Sequence, residues 1–323
     1  MPVRQFVDGQ EVDQVLVVRE REVRARRDGA EYLRLTLADA TGSVAAVVWE
    51  GVADLAPVCD KGAPVHVAGR FCVHPRDGAQ IEVRRLRAAE PGEFDPGDLV
   101  CGPPLTPDRM EGDLRELVST VQDEHLSRLL DAVFGVGTET WKRFRDAPAA
   151  KRFHQAYRSG LLEHCLSVAQ AVSAISATFP GIDRDVAVTG ALLHDIGKLE
   201  AYTADPLAID MTDAGKLQGE IPLGYYRIRR LIEDIPGFPA ERAAAVLHII
   251  LSHHGTLEHG SPVVPCTREA TLVHMIDNLG GRLGSFDRLE RELPEGSSWS
   301  RYDRALGGGA YFGPPAVEQA RAA

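Results

Sequence analysis

Cysteines are few in this 323-residue chain, and they stand apart. Cys59, Cys72, Cys101, Cys165 and Cys266 are odd in number and never form a C-x-x-C pair. That excludes a disulfide framework, argues against a thiolate zinc site, and fits a reducing cytoplasm. Long apolar runs are absent too, which excludes a membrane span. The opening Met1-Pro-Val-Arg-Gln-Phe6 lacks the apolar core of a secretory signal. Positive charge is in deficit, with a net charge of −11. A polyanion would therefore have to be held by local basic arrays or by metal ions. No internal repeat is visible. What remains is an ordinary globular composition, 44% hydrophobic and 26% charged, long enough for two domains.

The first third reads as β structure. Val15, Val17, Val23 and Ala25 alternate with polar neighbours, and Asp28-Gly29 then signals a hairpin. Leu33, Leu35 and Leu37 face one way while Tyr32, Arg34 and Thr36 face the other, the pattern of a half-buried strand. Thr41-Gly42 turns into Val44, Ala46 and Val48, with Trp49 at the strand's end. Val65–Val73 and Ile81–Val83 flank a turn containing Asp77-Gly78. Five short strands, with a bridging segment near 51–62, fit a small Greek-key barrel. Tyr32 to Trp49 resembles an OB-fold, and OB-folds hold single strands by stacking bases on aromatics and tracking phosphates with basic side chains. Candidate contacts are Tyr32, Arg34, Trp49, Arg70, Phe71 and Arg84. Residues 1–95 carry 13 basic against 16 acidic side chains, so the domain is not basic overall. Trp49 or Phe71 could equally be a core residue.

The expected division is an OB-fold domain at 1–92, a linker at 93–104, an all-α domain at 105–305 and a C-terminal tail at 306–323. Thr106-Pro107 is a helix start, with Thr as cap and Pro at the first helical position. Met110, Leu114, Leu117, Val118 and Val121 form an apolar stripe, as do Leu126, Leu129, Leu130 and Val133. A helix carrying His164 among apolar neighbours runs towards Pro180-Gly181, and Cys165 beside it reads as core. Asp183-Arg-Asp185 opens a helix expected to hold His194-Asp195 and to close at Gly197-Lys198. Another begins at Gly219-Glu220. Glu241–His254 places Leu247, Ile250, Leu251 and His254 on one face, with Gly255 as C-cap. Arg268–Leu283 carries Asp277 one turn after Val273, on its buried side.

Adjacent helical residues point about 100° apart, so His194 and Asp195 can flank an ion lying over the helix. Four segments thus put ligand-type groups near apolar faces: His164, His194-Asp195, His253-His254 and Asp277. Singly each has a dull explanation, such as a satisfied core histidine. Jointly, burying them without a cation is expensive.

The order H…HD…HH…D, with Leu-Leu-His-Asp-Ile-Gly-Lys and Leu-Ser-His-His-Gly as its contexts, resembles the HD-domain metal-dependent phosphohydrolases. An OB-fold ahead of an HD domain is similar to the YhaM-type 3′–5′ exoribonucleases. The likeness extends through Phe153–His164, Ile249–Pro262, Met275-Ile-Asp-Asn-Leu279 and Trp299-Ser-Arg-Tyr-Asp-Arg304. It implies metal ligation by His164, His194, Asp195, His253, His254 and Asp277, with Asp195 bridging two ions. Where that family has a histidine, this chain has Glu220, expected to ligate in its place and to favour Mn²⁺ or Mg²⁺. Catalytic roles fall to Asp195 and to Lys198, which could reach a phosphoryl oxygen or be a solvated helix-end lysine. By the same resemblance His154, Tyr157, Trp299, Arg301, Tyr302 and Arg304 lie on the substrate side. The implied reaction is hydrolysis of single-stranded RNA, or DNA, from the 3′ end to 5′-mononucleotides. A homo-oligomer is compatible with the sequence; a membrane partner is not expected. Competing readings are an HD nucleotide phosphohydrolase and a nucleic-acid-binding protein whose HD site has decayed.

Overall fold

The computed structural model describes residues 1–26, 28–74, 78–100, 102–151, 155–205, 207–291, 293, 296–304 and 306–314. Two compact units result. The first comprises Met1–Gly102 with Asp205–Ile209, and the second comprises Pro103–Ala204 and Asp210–Ala323.

In the first unit, β1 (Glu11–Ala25), β2 (Glu31–Asp39), β3 (Gly42–Val48), β4 (Pro64–His74) and β5 (Gly78–Ala88) close into a barrel of order β1-β2-β3-β5-β4. Every pair is antiparallel except β3 with β5. Such a five-stranded Greek-key barrel is an OB-fold. β1 closes it by pairing with β4 through Glu11–Val17 and with β2 from Val17 onward, with a register shift between Val18 and Glu20. The helical turn α1 (Val52–Leu55) bridges β3 and β4, and α2 (Pro96–Leu99) follows the barrel.

The β2 pattern holds: Leu33, Leu35 and Leu37 fill the interior. On β1 the phase differs from expectation. Leu16 and Val18 point into the barrel, Val17 packs outside it with Ala38 and Leu99, and Val23 is exposed. A strand shared between two partners changes which of its faces is covered along its length, so simple alternation misleads there. Leu207 joins the Val17 cluster, and that accounts for the membership of Asp205–Ile209 in this unit.

The second unit is helical. Its elements are α3 (Pro107–Ser119), α4 (Glu124–Phe134), α5 (Glu139–Asp146), α6 (Gly160–Ser176), α7 (Arg184–Leu193), α8 (Lys198–Ala201), α9 (Asp213–Gln218), α10 (Glu220–Glu233), α11 (Ala240–Ser252) and α12 (Arg268–Arg291). Side-chain caps fix several starts, Thr106 accepting from Arg109 N, Thr138 from Trp141 N and Asp183 from Val186 N. The predicted stripes of α3 and α4 are buried. α7 is buried from Val186 to Leu193, against α6, α11 and α12. Its centrality places whatever follows its C-terminus in the middle of the unit.

Candidate metal centre

Two boundary shifts matter for chemistry. α7 ends at Leu193, so His194 and Asp195 lie in the turn leading to α8 and not on a helix. The tight turn is held by Gly197, whose α-hydrogens face the start of α10. A Cβ built there would meet Glu220 O at 1.9 Å and Gly224 N at 2.5 Å. Only glycine lets the two backbones approach so closely. The second shift concerns α11, which ends at Ser252. His253 is then the buried member of its pair, continuing the Val246, Ile249, Ile250 face, while His254 is half-buried. The stripe expected through His254 is therefore one residue out of phase.

The turn brings the predicted ligands together. His164 Nε2 lies 3.2 Å from His194 Nε2, 3.2 Å from Asp195 Oδ2 and 3.1 Å from Asp277 Oδ1. His253 Nε2 is 3.5 Å from Asp195 Oδ1. Donor atoms of His164, His194 and Asp195 all lie within 4.8 Å of one another, as do those of Asp195, His253 and His254. Asp195 belongs to both groups. Glu220 stands at the first position of α10 with Oε1 3.7 Å from His254 Nε2.

Each imidazole is oriented through its other nitrogen. Nδ1 of His194 contacts Ala191 O at 2.7 Å, Nδ1 of His253 contacts Ile250 O at 2.8 Å, and Nδ1 of His254 contacts His259 O at 2.9 Å. Donation to a carbonyl fixes the tautomer and leaves the Nε2 lone pair available to a cation. For His164 that partner is Gln155 Oε1 at 3.0 Å. The sequence reading missed Gln155. No sequence pattern marks it, and its left-handed backbone, with φ of 58°, shows only in the structure.

Electrostatics in this cluster follow from burial against charge. Burial opposes the charge on His164, but hydrogen bonds to Asp195 and Asp277 prevail and hold its pKa up at about 9. Burial pushes His194 down to about 4, against the pull of the same carboxylates. Burial disfavours the Asp195 and Asp277 carboxylates, yet both stay well below the usual range. Lys198 and His194 are chiefly responsible for Asp195, and His164 for Asp277. Lys198 is no solvated lysine: its Nζ sits 2.6 Å from Asp195 Oδ2 with the side chain 15% exposed. α8 is itself anchored by Glu200, which pairs with Arg143 and Arg227.

The residues fit a cation. Asp195 Oδ1 and His253 Nε2 are buried and make no hydrogen bond. They lie 3.5 Å from each other, longer than a good hydrogen bond, and buried polar atoms so poorly satisfied are rare. The donors are imidazole and carboxylate without thiolate, a set for divalent ions of intermediate hardness.

Similarity to known proteins agrees with this geometry. The profile of the HD domain family matches residues 161–281. The 3′–5′ exoribonuclease YhaM of Geobacillus sp. (strain WCH70) is 30% identical over 288 residues, 88% of this chain and 87% of that protein. The chain belongs to the YhaM 3′–5′ exoribonuclease family. Its relative from Bacillus subtilis (strain 168), with the same name, is 28% identical over 88% of this chain and 90% of its own. Similar solved structures include the second OB-fold domain of replication protein A from Methanococcus maripaludis. That domain shows 22% identity, covers 28% of this chain and 96% of its own, and has a TM-score of 0.23. A small single-stranded DNA-binding protein from Streptomyces coelicolor shows 20% identity, 26% and 96% coverage, and a TM-score of 0.22.

Within the barrel, the expected nucleic-acid contacts are not brought together as one surface. Tyr32 and Trp49 pack at a tilt with ring centroids 5.0 Å apart, and Arg26, which the sequence reading passed over, lies 4.5 Å over the Trp49 ring. Arg34 is exposed on the same strand as Tyr32. Phe71 is a correction: it lies in the barrel core against Phe6 and offers no face to a base. Arg70 and Arg84 are at the other end of β1. Arg70 is opposite Glu11, and Arg84 makes two hydrogen bonds to the Glu11 carboxylate, whereas Tyr32 is opposite Arg24. In the helical unit the Tyr157 hydroxyl donates to Glu163. Trp299, Arg301, Tyr302 and Arg304 are exposed on a segment where Trp299 packs on Tyr311 and Asp303 pairs with Arg288. His154 lies outside the described residues. Among the described residues no helix is long and apolar enough to cross a membrane.

Proposed function

We propose that this chain is a metal-dependent 3′–5′ exonuclease releasing 5′-mononucleotides from single-stranded RNA, with single-stranded DNA as its second substrate. The helical domain (105–305) carries out hydrolysis, the OB domain (1–92) guides the strand, and the cytoplasm is its location. One observation carries the reading: the buried Asp195 carboxylate is shared by two groups of imidazole donors. His164, His194, Asp195 and Asp277 would hold one divalent ion; Asp195, His253, His254 and Glu220 would hold the second. Mn²⁺ is the preferred ion, because no thiolate is present and the histidines disfavour an all-oxygen ion such as Mg²⁺. Divalent ions bound there supply an activated water at neutral pH and neutralise the phosphoryl oxygens.

The chain's own residues do the rest. Main-chain carbonyls and Gln155 keep four imidazoles in the ligating tautomer. Lys198, clamped by Asp195, holds a positive charge at the site throughout turnover and can turn towards a non-bridging phosphate oxygen. Tyr32, Trp49 and Arg26 form a stacking platform for a base of the incoming strand.

The test is incubation of the full chain with 3′- and 5′-labelled single strands, with and without Mn²⁺. A 5′ label should move down a ladder while a 3′ label leaves at once as mononucleotide, both only with metal. Internal cleavage, digestion from the 5′ end, or action on free nucleotides alone would overturn the proposal.

A further inference from the structure

A second group of ligand-type side chains lies outside the helical unit. Along β4 the residues alternate across the barrel wall: Val65, Val67 and Phe71 turn inward, and Arg70, Cys72 and His74 turn outward. On neighbouring β5, Gln80 is opposite Cys72, and Glu82 follows two residues later on the same face. The longer side chains of His74 and Glu82 meet there, with Nε2 and Oε1 3.1 Å apart. One donor atom from each of Cys72, His74 and Glu82 lies within 4.8 Å of the others.

We propose that Cys72, His74 and Glu82 form a zinc site on the outer face of the β4–β5 hairpin. Donors held about 2.0–2.1 Å from a tetrahedral Zn²⁺ stand roughly 3.3 Å apart, close to the observed imidazole–carboxylate separation. One thiolate, one imidazole and one carboxylate leave a fourth position for solvent, a common arrangement for this ion. The thiolate also separates this site from the helical one, whose donors are nitrogen and oxygen only: sulfur selects Zn²⁺ over Mn²⁺ or Mg²⁺. The His74 and Glu82 side chains are 38% and 45% exposed, so an ion can enter from solvent. As the zinc–sulfur bond forms, the Cys72 thiol proton passes to solvent. Bound metal would tie the two strands together beside His74↔Gly78, their terminal pair. Sequence spacing hides such a site, because it needs one cysteine and its carboxylate arrives from the next strand.

The test is anaerobic titration of the reduced full chain with Co²⁺, read by absorption. The wild type should develop a near-ultraviolet thiolate-to-cobalt charge-transfer band whose final intensity corresponds to one cobalt–thiolate bond per chain, whatever the helical unit takes up, and which is lost on adding Zn²⁺. Nitrogen and oxygen donors cannot produce that band. Cys72→Ser should abolish it, and Glu82→Gln and His74→Ala, which keep the thiol, should each weaken cobalt binding. Cys266, whose Sγ lies 3.3 Å from His248 Nε2, is a control, and Cys266→Ser should leave the band intact. The proposal is overturned by absence of the band in the wild type, or by its persistence in Cys72→Ser. A titration unchanged by both Glu82→Gln and His74→Ala overturns it as well.

Discussion

The Nε2 atoms of His164 and His194 face each other at 3.2 Å in a buried site, with Asp195 and Asp277 carboxylate oxygens 3.2 and 3.1 Å from His164. Two ring nitrogens that close need a proton or a metal ion between them and the carboxylates. Hydrogen bonds to the two carboxylates, prevailing over burial, raise the His164 pKa to about 9 and so favour a proton there.

Removing the shared carboxylate should end catalysis without erasing the fold. Asp195→Asn is expected to abolish exonuclease activity and lower metal content, and it leaves Lys198 buried without its counter-ion. Breaking a buried pair costs about 3–5 kcal/mol. The double variant Asp195→Asn with Lys198→Met should recover melting temperature and no activity. Retained activity in the single variant would refute the shared-ligand role.

The Gln155 side chain also faces Glu163, but its effect on metal binding should run through His164. Gln155→Leu removes the acceptor at Nδ1, and losing such an outer partner lowers metal affinity by about 10–100-fold. Excess Mn²⁺ should restore much of the rate, with thermal stability nearly unchanged. Full activity at limiting metal would show that the contact is dispensable.

Trp49 and Phe71 should separate binding from folding. Trp49→Ala is expected to weaken single-strand binding by about 1–3 kcal/mol and leave the barrel stable. Phe71→Ala should destabilise the barrel by about 3–5 kcal/mol. Fluorescence anisotropy with a labelled strand, paired with chemical denaturation, distinguishes the two. Equal binding loss at equal stability would contradict the assignment.

Gly197→Ala tests the close approach behind the HD turn. Its φ of −68° suits alanine, so any penalty comes from the Cβ meeting the Glu220–Gly224 backbone. Overpacking of this kind costs about 1–3 kcal/mol. Activity should fall further than stability, because both His194-Asp195 and Glu220 shift.

Acid should loosen the cap of α7. Burial disfavours the Asp183 carboxylate, but Arg242 and the Val186 N–H outweigh that and lower its pKa. A lowered folded pKa means tighter pairing of the ionised form. Its stabilisation is therefore present above the ordinary value of 3.8 and lost as pH falls through the lowered one. Melting temperature followed over that window should flatten in Asp183→Asn. An unchanged slope would remove Asp183 as a contributor.

Much of this was legible from residue patterns. Alternation in Leu33, Leu35 and Leu37 gave β2 its inner face, and the Thr106-Pro107 and Asp183 caps gave helix starts, because both depend on local backbone chemistry. The ordered histidines and aspartates marked the cluster, since so many costly groups near apolar faces imply a shared partner.

Other features were settled by contacts between segments distant in the chain. Phase on β1 depends on two different neighbours, and the burial of Phe71 depends on the barrel closing around it. That His253 and not His254 is buried depends on the rotation of α11 against α7. The pairing of Gln155 with His164, of Arg26 with Trp49 and of Gly197 with α10 has no sequence period at all. Periodicity reports which side of an element is apolar; only packing decides which atoms of two elements meet.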